Sequence, residues 1–193
     1  LAPRDTHAAM ILHGKTLIVT GVGVGLGREC VAGALREGAN VVMAARTQAN
    51  LDAALTELDP TGERVAARAT DINDADACAA LVQLAQDRFG GVDALVQVAA
   101  YEHAWGGLYA TDFGTWRQAF ETNVLGALTV ARPAAEAMKA RGGGAIVLIG
   151  SQSMFKPSLP QAGYAASKGA LLSAMYYLAD ELGPDNIRCN MVV

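Results

Sequence analysis

The run Ala145-Ile146-Val147-Leu148-Ile149 has no polar face. A strand built from it must be covered on both sides, as strands are in the interior of a parallel sheet. Similar runs recur at 16–19, 40–45, 65–69, 92–99 and 187–193. Between them lie stretches with helical character at 25–37, 51–58, 74–89, 115–139 and 161–182, the fourth with a bend expected near Pro133. Gly38, the Pro60-Thr61-Gly62 turn and Gly142-Gly143-Gly144 punctuate the series. Strand–helix alternation implies parallel strands joined by right-handed crossovers. The chain therefore reads as α/β, a single doubly wound parallel sheet with helices on both faces. No linker or repeat divides it, so residues 1–193 read as one domain.

The first strand runs into Thr20-Gly21-Val22-Gly23-Val24-Gly25-Leu26-Gly27, which then enters a helix. That is the setting of a dinucleotide site: glycines let a phosphate approach the backbone, and the N–H groups of the helix N-terminus hold it. The spacing Gly-x-Gly-x-x-Gly fails here, because the third place falls on Leu26 or Arg28. The turn alone is therefore weak evidence, and a tight strand–helix turn with no ligand is its plain reading.

Further along stands Gly163-Tyr164-Ala165-Ala166-Ser167-Lys168. Four residues on a helix bring Tyr164 and Lys168 to one face, one turn apart. A cation beside a phenol favours phenolate, drawing its pKa down from about 10. Such a phenol suits proton transfer. Ser151 lies thirteen residues before Tyr164. An exposed Tyr–Lys pair and a turn-capping serine are the ordinary alternatives, and Ser153 competes for the role of Ser151.

Together these motifs resemble the short-chain dehydrogenase/reductase family. Thr-Gly-x-x-x-Gly-x-Gly is met by Gly21, Gly25 and Gly27, and Tyr-x-x-x-Lys by Tyr164 and Lys168. Asn123 in Asn123-Val124-Leu125-Gly126 is similar to the family's helix asparagine, whose plain reading is a buried amide tying helix to sheet. Asp71-Ile72 resembles the acidic pair that meets adenine, and Ile187-Arg188-Cys189-Asn190 the approach to the sixth strand.

The resemblance implies a Rossmann fold and an NAD(P)-dependent enzyme interconverting a ketone and a secondary alcohol. It implies Tyr164 as general acid or base, Lys168 lowering its pKa and binding ribose, and Ser151 on the substrate oxygen. It gives Asn123 a water linked to Lys168. Gly21, Gly25, Leu26, Gly27, Arg46, Asp71, Ile72, Ala99, Tyr164 and Lys168 are the expected cofactor contacts.

Two departures stand out. Gln97-Val98-Ala99-Ala100 replaces the family's Asn-Asn-Ala-Gly, which puts local geometry there in doubt. The residues end at Val193, so the family's C-terminal lid and seventh strand are expected to lie outside them. A non-catalytic dinucleotide-binding or scaffold protein on the same fold is the alternative. A methyltransferase would not need Tyr164 and Lys168 at this spacing.

An acidic residue at the end of the second strand would grip the ribose 2′-hydroxyl of NAD. Here that strand ends Ala44-Ala45-Arg46-Thr47, with no carboxylate before Asp52. Arg46 suits a 2′-phosphate, so NADP(H) is favoured over NAD(H), although Val24 stands where many NADP-preferring relatives carry a second basic residue. Tyr101, His103, Trp105, Met154 and Phe155 in loops suggest an apolar substrate.

A net charge of −4 without a basic run argues against nucleic acid and anionic membrane surfaces as partners. No apolar stretch reaches the roughly eighteen residues of a spanning helix. Residues 1–13 carry charges and no signal-like apolar core. Cys30, Cys78 and Cys189 fit no metal or redox motif, consistent with a reducing cytoplasm. Small residues such as Ala165, Ala166 and Gly169 permit close helix contact, and family members associate through the matching helices. A homodimer or homotetramer is expected.

Overall fold

The computed structural model describes residues 10–157 and 160–193; most of the 1–13 segment read above lies outside them. Six strands form one parallel sheet: β1 Thr16–Thr20, β2 Asn40–Ala45, β3 Val65–Ala69, β4 Ala94–Gln97, β5 Gly144–Ile149 and β6 Ile187–Val192. Their order is β3-β2-β1-β4-β5-β6. The order reverses between β1 and β4, where such sheets open a crevice beyond the strand ends. Thr20 pairs with Ala44 on one side and Gln97 on the other, so the last residue of β1 sits at that crevice.

Side chains along each strand alternate between two cores. Leu17, Val19, Val41 and Met43 face α1 (Leu26–Arg36) and α2 (Gln48–Leu58), meeting Val31, Leu35 and Leu51. Ile18, Val42, Leu95, Ile146 and Leu148 face the opposite layer, built from α3 (Ala75–Phe89), α5 (Ala127–Ala140) and α6 (Ala162–Leu182). There they meet Leu81, Val130, Met138 and Leu171. These residues are all buried, and each large side chain so covered contributes about 1.5–3 kcal/mol. Asp74 caps α3 by accepting from the N–H groups of Asp76 and Ala77.

The stretch expected as one helix over 115–139 is three pieces. α4 (Phe113–Phe120) passes into a π-helical turn, Glu121–Gly126, and then into α5. Pro133 lies inside α5, which continues through it, so the irregularity falls at the π turn rather than at the proline. β4 is also shorter than the apolar run 92–99. The N–H groups of Val98 and Ala99 leave the ladder and donate to Thr20 Oγ1, at 3.1 and 3.2 Å. That contact pins the segment after β4 across the end of β1.

Candidate active site

The glycine turn has three positions that demand glycine and one that does not. Gly21 has φ +70°, and a Cβ there would lie 2.5 Å from the Ala99 nitrogen. A Cβ on Gly27 would overlap the Gly21 carbonyl, and Gly25 has φ +113° in open space. Gly23 has neither constraint: a Cβ there would meet only the Asn50 side chain, at 3.8 Å. Gly21, Gly25 and Gly27 are thus the frame, which is why a reading forced through Gly23 lost register. The absence of a side chain at Gly21 lets the chain leaving β1 lie against the Val98–Ala99 backbone that leaves β4.

Beyond the turn a cleft of about 310 Å³ opens at the strand ends. Gly21, Leu26, Gly27, Arg46, Asp71, Ile72 and Ala99, seven of the expected cofactor contacts, line it. Gly25 stands next to it as the N-cap of α1. The residues fit an elongated phosphate-bearing ligand: glycine backbone free of side chains lines the cleft, and the start of α1 lies at one wall. Arg46 is exposed at the β2 end, and no carboxylate lines the wall between Ala44 and Asn50.

Ser151, Tyr164, Lys168 and Asn123 converge at the ends of β5 and α6. Ser151 caps the short turn Gln152–Met154 and is near enough to the Tyr164 phenol to favour its ionised form. Its Oγ shares a 2.9 Å hydrogen bond with Ser153 Oγ, so the rival serine acts as its neighbour. Lys168 is 2% exposed; its Nζ lies 5.7 Å from the centre of the Tyr164 ring. Nζ donates to the Ile149 carbonyl at 2.8 Å, fixing the ammonium at the end of β5.

The electrostatics differ from the simple expectation. Burial pushes Lys168 down to about 8, against a smaller opposing pull from Glu102, so it is not a permanent cation. The Tyr164 phenol is raised above its usual 10, first by burial and then by the charge of Glu102, while Ser151 pulls it back. The expected lowering by Lys168 is absent in the protein alone: burial and Glu102 raise the phenol, and Ser151 is the group that opposes them.

Asn123 sits in the π turn, 1% exposed. Its Oδ1 accepts from the Tyr101 N–H at 2.6 Å and its Nδ2 donates to the Tyr101 carbonyl at 3.0 Å. Nδ2 also donates to Ser167 Oγ at 2.9 Å, and Ser167 Oγ donates to the Tyr164 carbonyl at 2.7 Å. The amide ties the loop after β4 to the stretch of α6 that carries Tyr164 and Lys168; it is buried, as the plain reading expected, but its partners are a loop and a helix rather than the sheet. Ser167 had no signal of its own in the sequence, and Tyr101, read there as a loop aromatic, is held here through its backbone. Their roles depend on loops closing in space. Among the described residues no group of three His, Cys, Asp or Glu is arranged to hold a metal, and no helix is long and apolar enough to cross a membrane.

Known proteins resemble this chain over most of its length. The family model described as short chain dehydrogenase matches residues 15–193. Galactitol 2-dehydrogenase (L-tagatose-forming) of Cereibacter sphaeroides is 37% identical over 189 residues, covering 96% of this chain and 72% of that protein. Dehydrogenase/reductase SDR family member 4 of Homo sapiens is 32% identical over 179 residues, covering 93% of this chain. A crystal structure of NAD⁺-bound xylitol dehydrogenase superimposes with TM-score 0.89 at 25% identity, over 94% of this chain and 70% of that one. The chain spans 64% of the length of the human relative.

Proposed function

Because this chain belongs to the short-chain dehydrogenase/reductase family, we propose that it interconverts a small-molecule ketone and a secondary alcohol by hydride transfer. The observation that carries the reading is the convergence of Ser151, Tyr164 and Lys168 beside a glycine-floored cleft. A bound nicotinamide dinucleotide supplies the hydride donor or acceptor. The chain supplies the proton and the placement. Tyr164 Oη gives a proton to the carbonyl oxygen in reduction and takes it from the alcohol in oxidation. Ser151 Oγ steadies that oxygen as charge develops on it. Lys168, held by the Ile149 carbonyl, faces the phenol and favours its ionised form when charged. Asn123 holds Tyr101 and Ser167 so that these groups keep their spacing. Four groups assembled in this way argue against a purely non-catalytic scaffold.

The dinucleotide is proposed to be NADP(H) rather than NAD(H). Arg46 supports this, with no acidic side chain on the neighbouring wall to contact a ribose 2′-hydroxyl. The named NAD⁺ complex belongs to xylitol dehydrogenase and does not decide the matter for this chain. NADPH is expected to raise the melting temperature more than NADH at equal concentration, since a ligand of the folded state stabilises it. Arg46→Ala should weaken NADPH binding by roughly tenfold or more, as for a lost charge-assisted contact, and leave NADH little changed. Equal shifts from both nucleotides would remove the preference, and no shift from either would remove the dinucleotide.

We further propose a symmetric homo-oligomer. A groove of about 900 Å³ runs between α3, α5 and α6, with Leu125, Leu128, Leu178 and Leu182 in its lining. On the same helix layer Tyr176 and Tyr177 are 64% and 76% exposed. Light scattering at micromolar concentration should report at least twice the mass of one chain; a monomer would refute association.

A further inference from the structure

Glu102 has no part in the roles described so far, yet it lies where they are exercised. It lines the cleft next to Ala100 and Tyr101. Its side chain is exposed, but its backbone is held from three directions. On one side, Tyr101 is gripped at both its N–H and carbonyl by the Asn123 amide. The Glu102 carbonyl itself accepts from Gln161 Nε2 at 3.2 Å. On the other side Ala104 is fully buried, and Gly106 forms a bridge to Gln161, accepting from the Ala162 N–H at 3.1 Å. Both ends of the loop are thus fastened to the start of α6, three residues before Tyr164. The carboxylate therefore extends from a fixed backbone beside the cleft.

That charge has no counter-ion within 4 Å: the ion pairs among the described residues are Lys15–Asp93, Arg28–Glu57, Lys139–Asp185 and Arg141–Asp93, all elsewhere. The other charged groups of the cleft are Arg46 after β2 and Asp71 after β3, toward its opposite end, and Tyr101 beside Glu102 is its remaining titratable side chain. On its own loop the neighbour is His103; on α6 the groups facing it are Tyr164 and Lys168. Its negative charge reaches both of the latter, raising the phenol and opposing the drop in the lysine.

A carboxylate beside a site where an oxygen gains negative charge works against the reaction unless the substrate compensates. An ionised carboxyl only accepts hydrogen bonds. It attracts ammonium and hydroxyl donors and repels a second carboxylate, and a facing like charge is a means of rejecting wrong partners. We propose that Glu102 is a specificity-determining residue that admits neutral or cationic alcohols and ketones and excludes 2-hydroxy and 2-oxo acids. The inference rests on the oxidoreductase reading above and narrows its substrate class.

The test compares wild type with Glu102→Gln, of nearly the same shape, and Glu102→Asp, which keeps the charge. The first measurement needs no substrate. With ¹³Cζ-labelled tyrosine, the Tyr164 resonance is assigned by its loss in Tyr164→Phe and titrated with pH. In Glu102→Gln its midpoint should fall by roughly half a pH unit, as expected when a charge several ångströms away in a wet cleft is removed. Glu102→Asp should stay near wild type. The second measurement takes three matched alcohols: 1-amino-2-propanol, 1,2-propanediol and lactate. In wild type kcat/KM should fall in that order, with lactate about tenfold or more below the diol, and Glu102→Gln should close most of that gap. An unmoved Tyr164 midpoint, or a lactate-to-diol ratio the same in both proteins, would overturn the proposal. Failure of all three alcohols to react under either nucleotide would count against the oxidoreductase reading instead, and the tyrosine titration would still decide whether the charge of Glu102 reaches the site.

Discussion

Tyr164→Phe should keep the fold and its nucleotide-induced thermal shift while losing turnover by roughly 10²- to 10⁴-fold, the range attributable to one positioned acid or base. The substitution removes a single oxygen from a half-buried ring and leaves the ring's packing in place. What disappears is the hydroxyl of the ring over which Lys168 lies and whose ionisation Ser151 favours. The pH dependence gives a second handle. The phenol is raised above its ordinary value, so its acid form predominates at neutral pH. Oxidation, which needs the phenolate, should accelerate as pH rises toward that ionisation. Reduction, which needs the phenol, should be flat through neutrality and decline only in base. In Tyr164→Phe both dependences should vanish with the activity. Turnover within a few-fold of wild type, measured on any substrate found in an alcohol and ketone panel, would remove Tyr164 from the proton transfer.

Gly21→Ala should cost both stability and nucleotide binding. The left-handed backbone costs a side-chain-bearing residue roughly 1–2 kcal/mol. The added Cβ would also lie 2.5 Å from the Ala99 nitrogen and 2.7 Å from its Cα. Those atoms are backbone, and Thr20 Oγ1 holds them through the N–H groups of Val98 and Ala99. Relief must come from moving β1 away from the segment after β4, an overpacking cost of about 1–3 kcal/mol. A total of roughly 2–5 kcal/mol should lower Tm by about 5–15 °C in a chain of this size. The same movement deforms the cleft floor, so stabilisation by NADPH should be lost. Two controls separate the causes. Gly62→Ala meets a positive φ with nothing within 4 Å and should show only the conformational part. Gly23→Ala, with ordinary space and no positive φ, should be nearly silent in melting temperature. A Gly21→Ala protein that melts with wild type and binds NADPH equally would refute the packing account.

Much of this architecture was legible because local and global signals agree. β2 and β3 begin and end where their apolar runs do, since both strands are paired along their whole length and glycine or polar residues stop them. The Thr20 turn was legible through the family spacing that picks out Gly21, Gly25 and Gly27; what spacing does not contain is the cause, a positive φ at Gly21 and Gly25 and a close backbone approach at Gly21 and Gly27. Tyr164 and Lys168 share a helix face simply because they are four apart. What their spacing does not contain is solvent. Lys168 reads as a surface-type residue and lies buried, and burial rather than its neighbour dominates both its ionisation and that of the phenol. The run 92–99 overstated β4 because a hydroxyl on another strand captures two of its amides. Glu102, Gln161 and Ser167 were invisible for a related reason. Each acquires its partner only after segments far apart in the chain close on one another.

The π turn at Glu121–Gly126 carries a lesson for anyone who would regularise this chain. Widening one winding of the coil by a residue shifts everything beyond it by about 100° relative to uninterrupted α-helix. Phe113 and Met138 therefore cannot be assigned to sides of one wheel. Trimming a single position to restore even winding would keep the apolar stripe almost contiguous and still swing the Asn123 amide off the Tyr101 peptide it clasps. The irregular winding is what lets one amide serve two distant stretches, and an idealised substitute would look sounder while leaving the loop beside the phenol unmoored.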